Sequence, residues 1–175
     1  IDLIRVNDDG CGIDPDELET AFYRHATSKL EGGEDLSRIL TLGFRGEALP
    51  SVAAVGDVEV VSRPQKSEAA GRLTIGPDLE ADRSTRGAAA GTTISVRDIF
   101  SRQPARRKFL RSAGSEGSAV ASVVSHYALA YPEVRFSLKM DGRQGLSTTG
   151  SGDLRDAVAA VYGTDVAASM LPVNP

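Results

Sequence analysis

The sequence predicts an α+β fold, a two-layer sandwich in which helices cover one face of a mixed, mostly antiparallel sheet. Strand-like runs of apolar and alternating residues occupy the middle of the chain, at 58–64, 71–76 and 92–100. Helix-like segments lie on both sides of this block, at 14–26 and 118–130. Strands that follow one another closely tend to pair antiparallel, and flanking helices bury their apolar faces on the resulting sheet.

The first predicted elements are a strand and a helix. The opening run "IDLIRV" is apolar without a helical period, and turn residues follow at once, so it predicts a buried strand. Over 14–26, Asp14 suits the N-cap, Pro15 suits the first helical position and Glu17 is a capping-box acid. These signals predict an α-helix with Leu18 in its apolar face.

Residues 26–46 form an irregular, glycine-containing stretch. A connection of about 20 residues without regular structure is unusual in a compact domain, and this length is typical of a functional lid. A short helix around Ala48 to Val55 is predicted to follow. Pro50 would lie in its first turn, where a helix tolerates proline.

The middle of the chain predicts the sheet. "VEVVSRP" and "GRLTIG" suit paired strands, and "TTISVRDIF" alternates clearly between apolar and polar residues. Residues 77–91, between the last two runs, are rich in glycine, alanine, aspartate and arginine. They predict a loose connection.

Helices and a hairpin complete the chain. Residues 104–131 predict a proline-initiated turn, a short basic helix and a longer helix. "VRFSLKMDGRQGLSTTG" predicts a hairpin that turns at Asp141 and Gly142. After Gly150 a further helix is predicted, with Asp153 near its N-cap.

The glycine- and serine-rich "TTGSGD" predicts a domain boundary. It gives a first domain over 1–150 and the start of a second α/β domain over 151–175. Because Ile1 lies inside a predicted strand and the final "SMLPVNP" has no obvious cap, we expect the sequence to be a fragment of a longer protein.

Composition limits the classes of function. The chain has 175 residues and a net charge of -4, so it does not bind nucleic acid by overall charge, and any such contact needs a local patch. A single cysteine, Cys11, excludes an intrachain disulfide and a multi-cysteine metal site. No apolar run approaches the roughly 20 residues that span a bilayer.

Two motifs have the chemistry of a ligand site. "NDDGCGID" places acids and glycines directly after the first strand. There, a tight turn lets the backbone approach a ligand, and a carboxylate accepts from a donor such as an adenine amine. An ordinary glycine turn is the alternative, while the spacing does not fit a calcium loop. "GFRGEALPSV" places glycine-flanked amides at the start of a helix, an arrangement that favours phosphate.

Five motifs together resemble a known family. "NDDGCGID", "RHATSKL", "LGFRGEAL", "GTTISVRDIF" and "PARRKFL" occur in this order, and they closely resemble the N-terminal ATPase region of MutL-family DNA mismatch repair proteins. That region belongs to the Bergerat-fold (GHKL) ATPase superfamily, shared with type II topoisomerases, a class of heat-shock chaperones and histidine kinases. The second, third and fifth motifs are specific to the mismatch repair branch, and the resemblance covers roughly residues 1 to 150.

The resemblance implies a nucleotide site. Asp8 would accept a hydrogen bond from the adenine exocyclic amine, and Thr92 would support this contact through its hydroxyl group and water. Gly10 and Gly12 would shape the pocket floor. The lid and phosphate-binding residues would be Thr27, Ser28 and Lys29, followed by the backbone amides of Arg45, Gly46, Glu47, Ala48 and Leu49. The side chains of Arg45 and Glu47 would pin the lid, or form only an exposed ion pair.

The resemblance also implies that the protein uses ATP and Mg²⁺. In this superfamily a helix before the first motif supplies a glutamate that activates water and an asparagine that binds magnesium, and we expect both upstream of Ile1. A catalytic lysine is expected beyond Pro175. This chain is therefore expected to be an incomplete enzyme that binds nucleotide weakly or not at all by itself. Its second domain would be the transducer, similar to domain 2 of ribosomal protein S5.

A basic cluster lies after the last predicted strand. Its members are Arg102, Arg106, Arg107, Lys108 and Arg111, and no acid lies among them. One interpretation is a weak DNA contact through residues such as Arg106, Arg107 and Lys108. The other is a set of surface charges, with some arginines anchoring the turn that precedes them.

We therefore predict the ATP-binding and ATP-hydrolysing switch module of a MutL-like mismatch repair protein. The resemblance implies that ATP binding orders the lid and closes a homodimer of N-terminal domains. It implies a MutS-like mismatch recognition protein and DNA as partners, in the bacterial cytoplasm and without a membrane. Two alternatives stay open: a topoisomerase-type or histidine-kinase-type ATPase of the same fold, and a non-catalytic nucleotide- or protein-binding module.

Overall fold

A computed structural model describes residues 1–23, 46–76, 78, 80–171 and 173. By backbone packing, the chain divides into two compact units, Ile1–Phe109 and Leu110–Pro175, which are described in turn. Within the described ranges, the helices are all too short or too polar to cross a membrane.

The first unit is built on a five-stranded antiparallel sheet. Its strands are β1 (Leu3–Asp8), β2 (Asp57–Arg63), β3 (Ala70–Ile75), β4 (Ala81–Arg86) and β5 (Gly91–Arg97), in the spatial order β1-β5-β2-β3-β4. β5 pairs with both β1 and β2. Because its pairing with β1 is antiparallel, the end of β1 meets the start of β5. The α+β class and the mostly antiparallel sheet agree with the sequence prediction.

Alternation along the strands gives this sheet one apolar face. An apolar row crosses it and consists of Val58, Val60, Leu73, Ile75 and Val96, all of them buried. Leu18 and Ala53 cover this row, Ala53 from the short helix α1 (Ala48–Ala53). Burying each large apolar side chain contributes about 1.5–3 kcal/mol. The row therefore determines which face of the sheet carries the helical segments.

The predictions of β2, β3, β5 and α1 are confirmed, with Pro50 in the first turn of α1. The opening run does form a strand, but the prediction that this strand is buried is wrong. β1 lies at one edge of the sheet, so it has a single neighbouring strand among the described residues, and Val6 is 62% exposed.

The prediction of a loose connection over 77–91 is wrong, because this segment contains β4, which pairs with β3 along its whole length. All six of its residues are exposed, so no buried apolar side chain produces a strand pattern in the sequence. Its backbone hydrogen bonds to β3 are what define it. Charged side chains on an exposed edge strand also discourage pairing with another molecule.

The prediction of an α-helix from Asp14 is also wrong for the part of the segment that the structure describes. Residues 15–19 form turns, and only Thr20–Phe22 form a short 3-10 helix. The Asp14 side chain does accept from the Asp16 N–H at 3.0 Å, as a cap would. Leu18, however, packs directly against Gly71, where an added Cβ would lie 2.7 Å from a Leu18 methyl group. Packing against the sheet thus overrides the local helix signals.

After β5, the first unit ends with the short helix α2 (Pro104–Arg107). The second unit contains α3 (Ala113–Ala130), the hairpin of β6 (Ser137–Met140) and β7 (Arg143–Ser147), α4 (Leu154–Tyr162) and α5 (Thr164–Ser169). The predicted hairpin turn is confirmed, with positive φ angles of 49° at Asp141 and 76° at Gly142. The predicted cap of α4 is confirmed too, because Asp153 accepts from the Arg155 N–H at 2.8 Å.

The "TTGSGD" stretch, 148–153, is hydrogen-bonded within the second unit. Thr148 is buried and bonds to Phe136 through both its backbone amide and its hydroxyl group. The Gly152 N–H donates to the Pro132 carbonyl at 3.1 Å. The division by packing falls after Phe109, and the proposed domain boundary near residue 150 stays a prediction.

Candidate functional site

Asp8 and Thr92 are neighbours at the ends of two paired strands. Asp8 is the last residue of β1, Thr92 is the second of β5, and the antiparallel register pairs them directly. Both lie on the face that carries the apolar row, because Thr92 also pairs with Ser62, two residues beyond Val60 on β2. Asp8 is exposed and Thr92 is buried. A carboxylate open to a ligand therefore lies beside a hydroxyl group fixed in the sheet.

The Asp8 carboxylate is oriented by the loop that follows it. The Gly10 N–H donates to Asp8 Oδ1 at 2.9 Å. An added Cβ at Gly10 would lie 2.8 Å from the same oxygen, so a side chain there would displace the carboxylate. An ionised carboxylate only accepts hydrogen bonds, and among the described residues Oδ2 has no hydrogen-bond donor, so a donor on a ligand could bind it. This arrangement suits the recognition of an amino group.

Two further glycines allow backbone to pass close to backbone at this site. Gly12 has a φ of 77°, and an added Cβ would lie 2.5 Å from the Arg63 carbonyl oxygen. Gly91 has a φ of 110°, and an added Cβ would lie 2.1 Å from the Asp8 carbonyl oxygen. Side chains are strongly disfavoured in both conformations and at both distances. Gly12 was among the predicted site residues, whereas Gly91 was only the residue before Thr92.

Ser62 joins these parts and was missed by the sequence prediction. Its side chain is fully buried, and its Oγ accepts from the Ile13 N–H at 2.7 Å. The same Oγ lies 2.9 Å from Thr92 Oγ1 and 3.3 Å from the Gly91 carbonyl oxygen. The sequence does contain a signal for it: Val58, Val60 and Ser62 occupy alternate positions, so a serine ends a row of buried valines.

The predicted phosphate-binding segment lies at the start of α1. Gly46 has a positive φ of 61°, and Glu47 is the N-cap, with its carbonyl accepting from the Ser51 N–H at 3.1 Å. The amides of Ala48 and Leu49 fall in the first turn, where the helix itself offers no acceptor. Their predicted contact with phosphate stays a prediction.

Four predicted site residues, Thr27, Ser28, Lys29 and Arg45, lie outside the described residues. Their proposed contacts with nucleotide also stay predictions. Across the described ranges, no group of three or more histidine, cysteine, aspartate or glutamate side chains could hold a metal ion.

The basic cluster is partly engaged in structural contacts. Arg102 is half-buried and donates to Asp57 Oδ1 at 2.7 Å and to the Gly76 carbonyl at 3.3 Å. The Arg106 guanidinium lies 6.0 Å from the centre of the Phe100 ring. These contacts support the anchoring interpretation for Arg102 and Arg106.

An ion pair connects the segment after Asp14 to strand β4, and a tyrosine of the same segment also bonds to the acid of this pair. Arg83 of β4 is paired with the Glu19 carboxylate, and the Tyr23 hydroxyl donates to Glu19 Oε1 at 2.8 Å. The Tyr23 hydrogen bond first, and Arg83 second, lower the pKa of Glu19. The same hydrogen bond, followed by the charge of Glu19, raises the pKa of Tyr23.

Two cavities of the first unit lie away from Asp8. One, of about 250 Å³, is formed by Pro15, Leu18 and the facing residues of β3 and β4. The other, of about 200 Å³, lies between Arg5 and Arg97 and their neighbours on β2 and β3. Neither is lined by Asp8 or Thr92.

Two curated proteins similar to this chain are both DNA mismatch repair proteins. The DNA mismatch repair protein MutL of Desulforudis audaxviator is 49% identical over 174 residues, covering 99% of this chain and 31% of that protein. MutL of Pelotomaculum thermopropionicum is 44% identical, covering 99% of this chain and 29% of that protein. The chain thus spans about a third of the length of these relatives. No protein-family model matches it.

Two solved structures of DNA repair proteins have a fold similar to that of this chain. The MutL ATPase domain of Aquifex aeolicus complexed with ADP matches with a TM-score of 0.71 and 29% identity, covering 93% of this chain and 57% of that one. The N-terminal domain of a DNA repair protein matches with a TM-score of 0.71 and 26% identity, covering 93% and 48%. The predicted Bergerat-type α+β fold is therefore confirmed.

Proposed function

Since the chain belongs to the MutL family of DNA mismatch repair proteins, we propose that it forms the adenine-nucleotide-binding part of an ATPase that acts in mismatch repair. One observation carries this proposal: a loop amide donates to Oδ1 of the exposed Asp8, which pairs with Thr92 across the sheet, and Oδ2 has no donor among the described residues. A similar structure, the MutL ATPase domain of Aquifex aeolicus, is complexed with ADP.

The residues of this chain would bind and orient the nucleotide. Asp8 accepts from the exocyclic amine of adenine, and Thr92 supports the base with its hydroxyl group. The backbone amides of residues 45–49 hold the phosphates, because the first-turn amides and the helix dipole favour an anion. Thr27, Ser28 and Lys29 complete the contact with the nucleotide from the lid.

Hydrolysis would need more than these residues. The described residues offer no cluster of carboxylate, histidine or cysteine side chains that fits a metal ion. We propose that the intact protein hydrolyses ATP with Mg²⁺, using a general-base glutamate and a metal-binding asparagine that precede Asp8 in sequence. This chain alone would then turn over little or no ATP.

In the intact protein the nucleotide would act as a switch. ATP binding would close a homodimer of N-terminal domains, and the closed state would connect a MutS-like mismatch recognition protein to later repair factors in the cytoplasm. Any direct DNA contact would be weak and local, through Arg107, Lys108 and, in part, Arg106. The chain carries a net charge of -4, which opposes binding to DNA by overall charge.

The adenine contact is tested by replacing Asp8 with asparagine in the intact protein. The Asn side-chain oxygen still accepts from the Gly10 N–H, but its amide nitrogen then points a donor at the donor on the base. We expect ADP affinity to fall by about tenfold to a hundredfold in calorimetry, since an unsatisfied pair costs about 1–3 kcal/mol. Asp9→Asn, the adjacent exposed acid, is the matched control and should leave the affinity unchanged. Equal ADP affinity in wild type and Asp8→Asn would contradict the proposal.

A further inference from the structure

Ser62 places a hydroxyl group where the sequence otherwise places valines. It lies on β2 in the same row as Val58 and Val60, and its side chain is fully buried. Burying a hydroxyl group is unfavourable unless hydrogen bonds replace those it loses from water. The contacts of this residue therefore indicate why a serine is accommodated there.

The contacts of Ser62 join two segments that both belong to the candidate site. The Ile13 N–H, at the end of the loop after Asp8, donates to Ser62 Oγ at 2.7 Å. Thr92 Oγ1 lies 2.9 Å from the same atom. One buried hydroxyl group thus connects the loop that orients the Asp8 carboxylate to the strand that carries Thr92.

The direction in which the Ser62 hydroxyl donates also determines whether Thr92 can donate a hydrogen bond to a ligand. Ser62 Oγ can donate either to Thr92 Oγ1, at 2.9 Å, or to the Gly91 carbonyl, at 3.3 Å. When Ser62 donates to Thr92, the proton of Thr92 is available to a ligand or a bridging water. When Ser62 donates to Gly91, Thr92 donates back to Ser62 and offers only an acceptor. The 2.9 Å contact between the two hydroxyl groups is made in both arrangements, and only the first leaves the Thr92 proton to a ligand.

We propose that Ser62 is a positioning residue that gives the site its selectivity for a 6-amino purine over a 6-keto purine. This inference rests on the proposed nucleotide-binding function. Ser62 holds the end of the loop whose Gly10 amide orients Asp8, the acceptor for the amino group. Its hydroxyl group also contacts Thr92 Oγ1, and when Ser62 donates to it the Thr92 proton matches the unprotonated N1 of adenine and opposes the protonated N1 of hypoxanthine. Both effects act on the base and neither acts on the phosphates.

The test compares ADP with inosine diphosphate, which replaces the amino group of adenine with a keto group. Calorimetry on the intact protein measures both affinities for wild type and for Ser62→Ala. We expect ADP affinity to fall about tenfold and inosine diphosphate affinity to change less than about twofold. A purely structural role would populate unfolded protein and weaken both nucleotides by the same factor, which leaves their ratio unchanged.

Ser95→Ala is the matched control. Ser95 is also a buried serine of the sheet, but it lies on the opposite face and accepts from Arg5 Nε at 3.1 Å. Its removal should leave the ratio of the two affinities at the wild-type value. If Ser62→Ala does not fold, Ser62→Cys retains nearly the same shape with a much weaker hydrogen-bonding group and is measured in its place.

A wild-type ratio in a folded Ser62→Ala or Ser62→Cys protein would overturn the inference, while the proposed function would stand. A wild-type protein that does not prefer ADP over inosine diphosphate would overturn the proposed function, and this inference with it.

Discussion

Asp8 suits an adenine amine because its two carboxylate oxygens are used differently. The Gly10 amide donates to Oδ1 at 2.9 Å, and in the proposed function Oδ2 would accept from the ligand. A carboxylate cannot donate, so a keto group in the same place on a base is repelled. Gly10 has no Cβ, and this allows its amide to reach the carboxylate, since an added Cβ would lie 2.8 Å from Oδ1. At the scale of single residues, the proposed selectivity for adenine would thus depend on the backbone around Asp8.

Gly91 offers a test of this backbone packing. We expect Gly91→Ala to destabilise the chain by about 2–4 kcal/mol, because the residue has a φ of 110° and its new Cβ would lie 2.1 Å from the Asp8 carbonyl oxygen. Urea unfolding measures the change. The matched control is Gly87→Ala, since no heavy atom lies within 4 Å of the added Cβ there. It should change stability by less than about 0.5 kcal/mol. Similar costs for the two variants would show that Asp8 and Gly91 are not in close contact.

At the scale of elements, the predictions succeeded where burial leaves a period in the sequence. β2, β3 and β5 share the apolar row, so their alternation was readable. β4 has no buried residue, and only backbone pairing defines it, which residue types do not record. The segment after Asp14 carries genuine cap signals, but packing of Leu18 on Gly71 prevails over them.

The candidate site likewise contains residues that the sequence predicted and one that it did not. Asp8 and Thr92 came from motif resemblance, and their pairing across β1 and β5 is now observed. Ser62 was missed because its partners are distant in sequence: Ile13 is 49 residues away and Thr92 is 30 residues away. The alternation of Val58, Val60 and Ser62 indicates that the serine is buried, but it does not indicate the partners of its hydroxyl group, which only the assembled sheet brings together.

The contact between Glu19, Tyr23 and Arg83 gives a prediction for the segment that precedes the predicted lid. The lowered pKa of Glu19 means that its ionised form stabilises the fold above the ordinary glutamate pKa. This contribution is lost as the pH falls through the lowered value. We expect Tyr23→Phe to raise the pKa of Glu19 toward its ordinary value, because the Tyr23 hydrogen bond is the largest cause of the shift.

A carboxyl-detected NMR titration measures the pKa of Glu19 in wild type and Tyr23→Phe. Tyr162→Phe, an exposed tyrosine of the second unit, is the control and should leave that pKa unchanged. An unaltered pKa in Tyr23→Phe would mean that Arg83 alone holds the carboxylate.

At the scale of the whole molecule, charge opposes the proposed ligand. The chain has a net charge of -4, and a nucleotide adds several negative charges. Long-range attraction therefore does not assist binding, and affinity must come from local groups such as the first-turn amides of α1. Affinity for ADP should accordingly depend only weakly on salt, unlike that of a protein that binds phosphate through a field of arginine and lysine side chains.

The proposed site should also connect nucleotide binding to stability. A ligand that binds only the folded state stabilises it by about 2.7 kcal/mol at a concentration one hundred times its Kd. We therefore expect ADP to raise the Tm of the intact protein by several degrees, in the transition of the part that contains Asp8. GDP, with a keto group in place of the adenine amine, should raise the Tm much less at the same concentration. Asp8→Asn should lose most of the ADP effect, whereas Asp9→Asn should keep it. Equal shifts from ADP and GDP would mean that the phosphates alone are recognised, and would place the binding energy at the start of α1 instead of at Asp8.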